Sequence, residues 1–349
     1  MYLYMFYLLS LPWKNKKNLL LVLFTLSLLV NFTLGYFYWN LKTHFSKQTA
    51  LDLFPSRLKV ATALSTVQNL LEGSVKKHLK KYHNITLEIL YFPNGFNKTD
   101  ELLANKEVDA KFDAHVHHLN IANQNYNNRL TFVQAGYLPK FSLFALNKDN
   151  NFKNLEDLKK FKKDNPNKKL KILMPNDNFQ QSLSFYLLEQ LGIIKKNNLG
   201  TTTQTFFELK PNFFESVFGF PEIQYETDEL ISITHKFLNG GYDLCLQYPT
   251  LMGNISNDVS VVETLKKPDE LEDPIYSYTI SLVARKDNEK SKEIKILQEV
   301  LKQEKIINEA QEGIFKGRYY MIPREKIDIL SQTIKDKYLG KTSSAERVS

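Results

Sequence analysis

The chain has 349 residues, of which 43% are hydrophobic and 24% charged, enough apolar material to bury a sizeable core and too much for a disordered chain. Its formal net charge is +8, but Lys14, Lys16, Lys17, Lys42 and Lys47 all precede the first acid, Asp52, so the rest is close to balance, which argues against a nucleic-acid surface. The single cysteine, Cys245, excludes an intramolecular disulfide and a thiolate metal cluster, and its place in the apolar run Tyr242 to Leu246 marks a buried core thiol.

The run from Leu19 to Trp39 carries no charge and has the length a helix needs to cross the hydrocarbon core, with Tyr36, Phe37, Tyr38 and Trp39 as an aromatic end at the interface. Lys14, Lys16 and Lys17 lie just before it, so residues 1–18 are expected in the cytoplasm and everything after the span outside. Large aromatics follow Thr33-Leu34-Gly35 where a cleavage site needs small residues, which favours an uncleaved signal anchor in the cell membrane over a cleaved leader. Residues 40–57 have no strong periodicity and contain Pro55, so they read as a tether.

Lobe 1 is expected over residues 58–140. Leu58 to Leu64 reads as a buried strand, Val67 to Tyr82 as a helix with a lysine-rich polar face, and Ile85 to Phe92 as a second strand. A helix near Asp100 to Asn105, a strand at Ala110 to Phe112, a helix through His118 to Asn125 and strands at Leu130 to Gln134 and Phe141 to Leu146 continue the alternation, which implies an α/β sandwich. Lobe 2 is expected over residues 141–254, with a strand at Lys169 to Leu173, a helix from Phe179 to Leu191 after the Pro175-Asn176-Asp177 turn, a segment at Phe206 to Leu209, a helix from Asp228 to Leu238 and a strand at Tyr242 to Gln247. Residues 255–339 return to lobe 1, with Ile275 to Ala284 as a strand and Ser291 to Phe315 as one long amphipathic helix, and residues 340–349 form a polar tail.

Five pieces in order, Phe92-Pro93-Asn94-Gly95-Phe96, Val108-Asp109-Ala110 leading to His115, Leu155-Glu156-Asp157-Leu158, Met174-Pro175-Asn176-Asp177, and Ser281 to Arg285 with Asp287-Asn288, resemble the NlpA family, the methionine-binding lipoproteins of bacterial ABC importers. The resemblance runs from about Leu58 to Phe315 and implies a two-lobed, type II-like periplasmic-binding-protein fold with a ligand cleft between lobes. It also implies ligand capture without bond chemistry, and as partners an ABC permease and ATPase and a small amino-acid-like or peptide ligand. By the same resemblance Phe96 packs on the ligand side chain and His115 contacts the ligand. The family's carboxylate-gripping arginine falls where this chain has Gln181, Ser182 and Leu183, and its ligand-binding asparagines fall at Gln247, Tyr248 and Thr250. Without the guanidinium fork a free carboxylate loses its charge-assisted clamp. The family's lipid-attachment cysteine is also missing, and the helix at 19–39 would replace it as anchor.

The candidate ligand contacts are therefore Phe96, His115, Tyr137, Asn176, Gln247 and Tyr248. Two alternatives stay open: a surface interaction module with a degenerate cleft, and a metal receptor using His115, His117 and His118 with Asp109 and Asp113 nearby. Phe213, Phe214, Phe218, Phe220 and Tyr225 are expected to pack a core or a surface insertion of lobe 2. No Gly-x-Ser-x-Gly, P-loop, Gly-x-Gly-x-x-Gly or His-Glu-x-x-His occurs, so neither an enzyme nor a cofactor is expected.

Overall fold

The computed structural model describes residues 31–36, 55–147, 152–200, 206–253 and 258–339. Residues 1–56 and 57–349 form separate compact units. In the first, residues 31–36 are helical and exposed. The expected span at Leu19 to Trp39 otherwise lies outside the described residues, as do most of the tether and the tail at 340–349; among the described residues no helix is long and apolar enough to cross a membrane.

The second unit is an α/β structure built on two mixed sheets. In the first sheet the strand order is β13-β4-β12-β3-β1-β2, with β1 at Ser56–Thr62, β2 at Ile85–Tyr91, β3 at Ala110–Ala114, β4 at Leu130–Pro139, β12 at Ile280–Arg285 and β13 at Tyr319–Met321. β3 and β12 are buried along their whole length, which is why they read as continuous apolar runs broken only by residues with internal partners. β1 and β3 run parallel, whereas β12 is antiparallel to both β3 and β4, so a strand from late in the chain occupies the centre of the first sheet.

The helices α1 (Ser65–Leu70) and α2 (Lys76–His83) are joined by a π-helical turn at Leu71–Val75 that contains Gly73, and they carry the first crossover. α3 (Phe96–Ala104) and α4 (Val116–Asn125) follow β2 and β3. The motif Phe92 to Phe96 owes its composition to the turn it makes: Asn94 sits at φ 57°, and a Cβ on Gly95 would fall 2.9 Å from the Phe92 Cβ. The other motif around Val108 and Arg285 is a clasp, in which buried Arg285 donates from Nη1 to the Val108 carbonyl at 2.5 Å and Asn288 donates to the Asp109 carbonyl at 2.8 Å.

The second sheet has the order β11-β5-β10-β6-β9, with β5 at Ser142–Leu146, β6 at Leu170–Pro175, β9 at Ile223–Asp228, β10 at Leu244–Gln247 and β11 at Val259–Thr264. β6 pairs in parallel with β9 and β10, while β5 is antiparallel to β10 and β11. α5 (Leu155–Asp164), capped by Asn154 and Asp157 in a capping box, α6 (Asn178–Gln190) and α7 (Ile233–Leu238) cover it, and the single turn α8 (Pro249–Met252) follows β10. A short side ribbon pairs β7 (Ile194–Lys196) with β8 (Phe214–Ser216). Phe214 from it stacks on Phe185 at 5.0 Å, whereas Phe218 is fully exposed, so the aromatic-rich stretch divides between core and surface.

The chain passes between the sheets twice, between β4 and β5 and between β11 and β12. The two passages are tied by a 2.8 Å hydrogen bond from the Leu265 amide to the Phe141 carbonyl. Cys245 is a buried core thiol whose pKa burial pushes up.

Four expectations are corrected. β9 occupies Ile223–Asp228, where no strand is expected from the sequence, so the helix expected from Asp228 starts only at Ile233. The strand expected from Ile275 splits into a 3-10 turn at Pro274–Tyr278 and β12, because Asp273 caps the Ile275 amide and Pro274 starts a turn. The long helix expected over Ser291 to Phe315 is two helices, α9 (Lys292–Leu301) and α10 (Glu304–Glu312), and α11 (Arg324–Tyr338) follows β13. Finally, β11 extends the second sheet to Thr264, ten residues past the expected boundary at 254.

Candidate ligand-binding cleft

Open α/β sheets place ligands at the carboxyl ends of their strands. In this chain the ends of β1, β3, β6 and β10 deliver Leu64, Asp113 to His115, Asn176 to Gln180, and Tyr248 to Leu251 to one region. A cavity of about 110 Å³ lies there, walled on the first-sheet side by Leu64, Phe96, Asp113, His115 and His118 and on the second-sheet side by Gln180, Leu230, Tyr248, Thr250 and Leu251. It is more apolar than polar and smaller than the usual range for drug-sized ligands, so it suits a small molecule with one or two polar groups.

Each polar wall group is held by the fold. His115 is the N-cap of α4, and its Nδ1 accepts from the His118 amide at 3.4 Å. Burial, then the neighbouring His117 and His118, lower its pKa well below the ordinary value, so it is neutral and carries its proton on Nε2. Asp177 caps α6 by accepting from the Phe179 and Gln180 amides at 3.1 and 3.0 Å. With its amide assigned so that the nitrogen faces Asp177, Gln180 donates to Asp177 Oδ2 at 2.6 Å and presents its oxygen to His115 Nε2, 3.4 Å away. Asp177, Gln180 and His115 thus form one relay across the two walls, and burial raises the Asp177 pKa.

Behind the first-sheet wall lies a charged cluster. Lys111, with no exposed surface, places Nζ 2.5 Å from Asp100 Oδ1 and 3.0 Å from Asp113 Oδ1. Asp100 also pairs with His118 Nε2 at 2.6 Å, and Asp113 Oδ2 accepts from the Ala63 amide at 3.1 Å. Burial would depress the Lys111 pKa, but Asp113 and Asp100 outweigh it and raise it.

Of the expected contacts, Phe96, His115 and Tyr248 line the cavity. Asn176 is exposed at an adjoining groove with His115, His118 and Leu230, and its carbonyl accepts from Gln181 Nε2 at 3.0 Å. Tyr137 and Gln247 are not brought there. Tyr137 is buried against Phe112, Phe315 and Tyr319, and the Gln247 amide is engaged by backbone, donating to the Leu230 carbonyl and accepting from the Tyr248 amide, both at 2.8 Å. The three histidines diverge: His115 turns to Gln180, His117 Nε2 bonds Ser277 Oγ at 2.7 Å, and His118 turns to Asp100. No metal-holding group of His, Cys, Asp or Glu occurs among the described residues. Asp113 and Gln180 are wall residues outside the set expected from the sequence. Their signals were a charge inside an otherwise apolar strand and an amide three residues past an Asp N-cap.

A family model described as NlpA lipoprotein matches residues 58–322. The chain belongs to the NlpA lipoprotein family. That family consists of substrate-binding proteins of ABC transporters and not of enzymes. Among solved structures, a putative methionine-binding lipoprotein from Bacillus subtilis is similar at 18% identity and a TM-score of 0.60, over 76% of this chain and 99% of that one. The methionine-binding protein MetQ gives 17% and 0.59 over 77% and 98%, and a periplasmic substrate-binding protein of an ABC transporter from Coxiella burnetii gives 17% and 0.58 over 76% and 100%. At these identities the likeness carries the two-lobed fold. No curated protein matches the chain by sequence. At the positions where the resemblance would put an arginine, the Gln181 side chain donates to the Asn176 carbonyl at 3.0 Å and Ser182 and Leu183 are buried.

Proposed function

We propose that the chain is the capture subunit of an ABC importer, tethered outside the cell membrane by an N-terminal anchor at Leu19 to Trp39, and that it closes on a small amino-acid-like ligand between its two sheets. The observation that carries this reading is the cavity itself. Its walls come from both sheets, and the relay from Asp177 through Gln180 to His115 spans them, so ligand contact and lobe closure are the same event. Phe96 would supply the apolar contact, with His115, Tyr248 and Asn176 at the polar end and rim. A permease and an ATPase would receive the ligand. Residues 58–140 would serve as lobe 1, residues 141–254 extended through β11 to Thr264 as lobe 2, and the remainder to 339 as the return, and residues 1–18 would lie in the cytoplasm. The uncharged run and the lysines before it support the anchor.

The test is differential scanning fluorimetry of the full-length chain in detergent against the twenty amino acids, their amides, short peptides and divalent metals. A specific ligand at a hundred times its dissociation constant adds about 2.7 kcal/mol. No response across the whole panel, with no small molecule released on denaturation, would leave the interaction-module reading in its place. Protease accessibility of intact cells checks the orientation: digestion of the main domain is expected, and its protection would refute the tether.

A further inference from the structure

Beside the cavity the two lobes meet again, through a layer of aromatic rings. On the first-sheet side stand His117 on α4, Tyr278 in the turn before β12 and Tyr338 at the end of α11. A 3.2 Å hydrogen bond from Asn120 Nδ2 to the Tyr338 carbonyl ties α11 to α4. On the second-sheet side stand Phe179, in the first turn of α6, and Phe207, in a 3-10 turn at Phe206–Glu208. That turn leans on α6 through Phe206 and Tyr186, whose rings are 5.2 Å apart.

His117 is the ring between the two sides. It stacks on Phe179 at 4.5 Å and 20° and meets Phe207 at 4.4 Å, while Tyr338 and Tyr278 back it at 5.4 and 5.5 Å. Phe207 also reaches Tyr338 at 6.0 Å, and the Tyr278 hydroxyl donates to the Phe179 carbonyl at 2.6 Å. His117 and Tyr278 are only 4% and 1% exposed, so rings of both lobes shield the centre of the layer from water. Phe179, Phe207 and Tyr338 are half-buried at its edge.

α4 and α6 follow β3 and β6, whose carboxyl ends deliver the two cavity walls, so parting the walls parts His117 from Phe179. His117, Phe207, Tyr278 and Tyr338 do not line the cavity. Their contacts favour closed lobes whatever the cavity holds, and each ring pair across the layer shifts that equilibrium by roughly two- to tenfold. We propose that this layer is a latch independent of the ligand, in which His117 and Phe207 hold the lobes together from outside the cavity. It rests on the capture reading only in taking the lobes to move. The latch raises the population of the closed state, and with it the apparent affinity for any ligand that needs closure.

The experiment is double electron–electron resonance on the full-length chain in detergent, unfolded and refolded to strip bound solute. Nitroxides are placed at Lys80→Cys on α2 and Lys160→Cys on α5, exposed positions with one on each lobe, while Cys245 is buried and stays unlabelled. Wild type is expected to give one short-distance population. Phe207→Ala removes the ring that meets His117 and Tyr338 across the layer, and should add a longer-distance population by raising the open-to-closed ratio about tenfold or more; adding His117→Ala should raise it further. Phe161→Ala deletes a half-buried ring that packs within the second lobe on Phe152 at 5.5 Å, and should leave the wild-type distribution unchanged. Seam variants that superimpose on wild type, or a Phe161→Ala protein that opens as far as they do, overturn the latch. So does a wild type already spread over open lobes, a result that needs no variant to fold. None of these outcomes touches the ligand panel: a response there with no latch keeps the capture reading, and silence there removes capture while the latch stays measurable.

Discussion

Lys111→Met isolates the charged cluster behind the cleft wall. Lys111 is fully buried with two carboxylates within 3.0 Å, and methionine keeps most of its volume while removing the cation. Breaking a buried ion pair by deleting one partner costs about 3–5 kcal/mol, since the remaining charge has lost both water and partner. At about 2–4 °C per kcal/mol for a unit of this size, the variant should melt roughly 6–20 °C below wild type near neutral pH.

The pH dependence of that deficit gives a second reading. Burial alone would raise the Asp100 pKa, but the His118 bond and Lys111 hold it below the ordinary carboxylate value. In wild type this stabilisation is therefore present above the ordinary value and lost only as pH falls through the lowered one. Without Lys111 burial acts on the Asp100 carboxylate with less opposition, so its folded-state value climbs. The penalty is then present at neutral pH and relieved as pH falls through that raised value. Thermal melts by circular dichroism from about pH 7.5 to pH 5 should show the gap between variant and wild type narrowing. A deficit under about 1 kcal/mol at neutral pH, or one that does not change over this range, would refute the account of Lys111 as the counter-ion of two buried carboxylates.

Four further outcomes are expected. His117, packed among Phe179, Phe207 and Tyr278, has its pKa lowered by burial to about 4, so wild type should lose roughly 3 kcal/mol as pH falls from about 6.5 to about 4, and denaturant titrations of His117→Gln should show that part of the slope missing. Asp177→Ala removes the α6 cap and should cost about 1 kcal/mol in urea unfolding, together with weaker ligand binding because Gln180 loses its anchor. Gly136→Ala would put a Cβ 2.5 Å from Phe112 Cζ and 2.8 Å from the Ile280 carbonyl, and calorimetry should register a loss of about 1–3 kcal/mol. Phe96→Ala should weaken whichever panel ligand stabilises wild type by about tenfold in titration, while its melting temperature without ligand changes little more than a half-buried ring implies.

Periodicity and turn chemistry carried much of the fold. The alternation of apolar runs with amphipathic stretches marks β1, β2, β5, β6 and β10 within a few residues, because a strand buried on both faces has to be apolar and a covering helix has to be two-faced. The Asn154 and Asp177 helix starts were readable for the same local reason, since a cap is a property of a few consecutive residues. β9 was not readable: its half-buried QYET stretch carries no strong pattern and becomes a strand only because β6 offers it an edge. The break between α9 and α10 was passed over, although the buried positions resume at Ile306 and Ile307 where an unbroken helix would bury 304 and 305, a slip of phase across Lys302 and Gln303.

The site divides in the same way. The motif residues Phe96 and His115, and the strand-end Tyr248, were legible as cleft candidates, because strand ends and the loops after them are where an α/β sheet presents side chains. What the sequence by itself determined about this protein is its class: an α/β chain of the NlpA type, with an uncharged leading run. Only the tertiary structure decided that Tyr137 and Gln247 turn to the core and the backbone, and that Lys111, Asp100 and Asp113 share one buried cluster. The physical reason is that hydrogen-bond partners of buried polar groups are set by which strands and helices meet, here residues 11 to 160 positions apart, and no local pattern encodes that meeting.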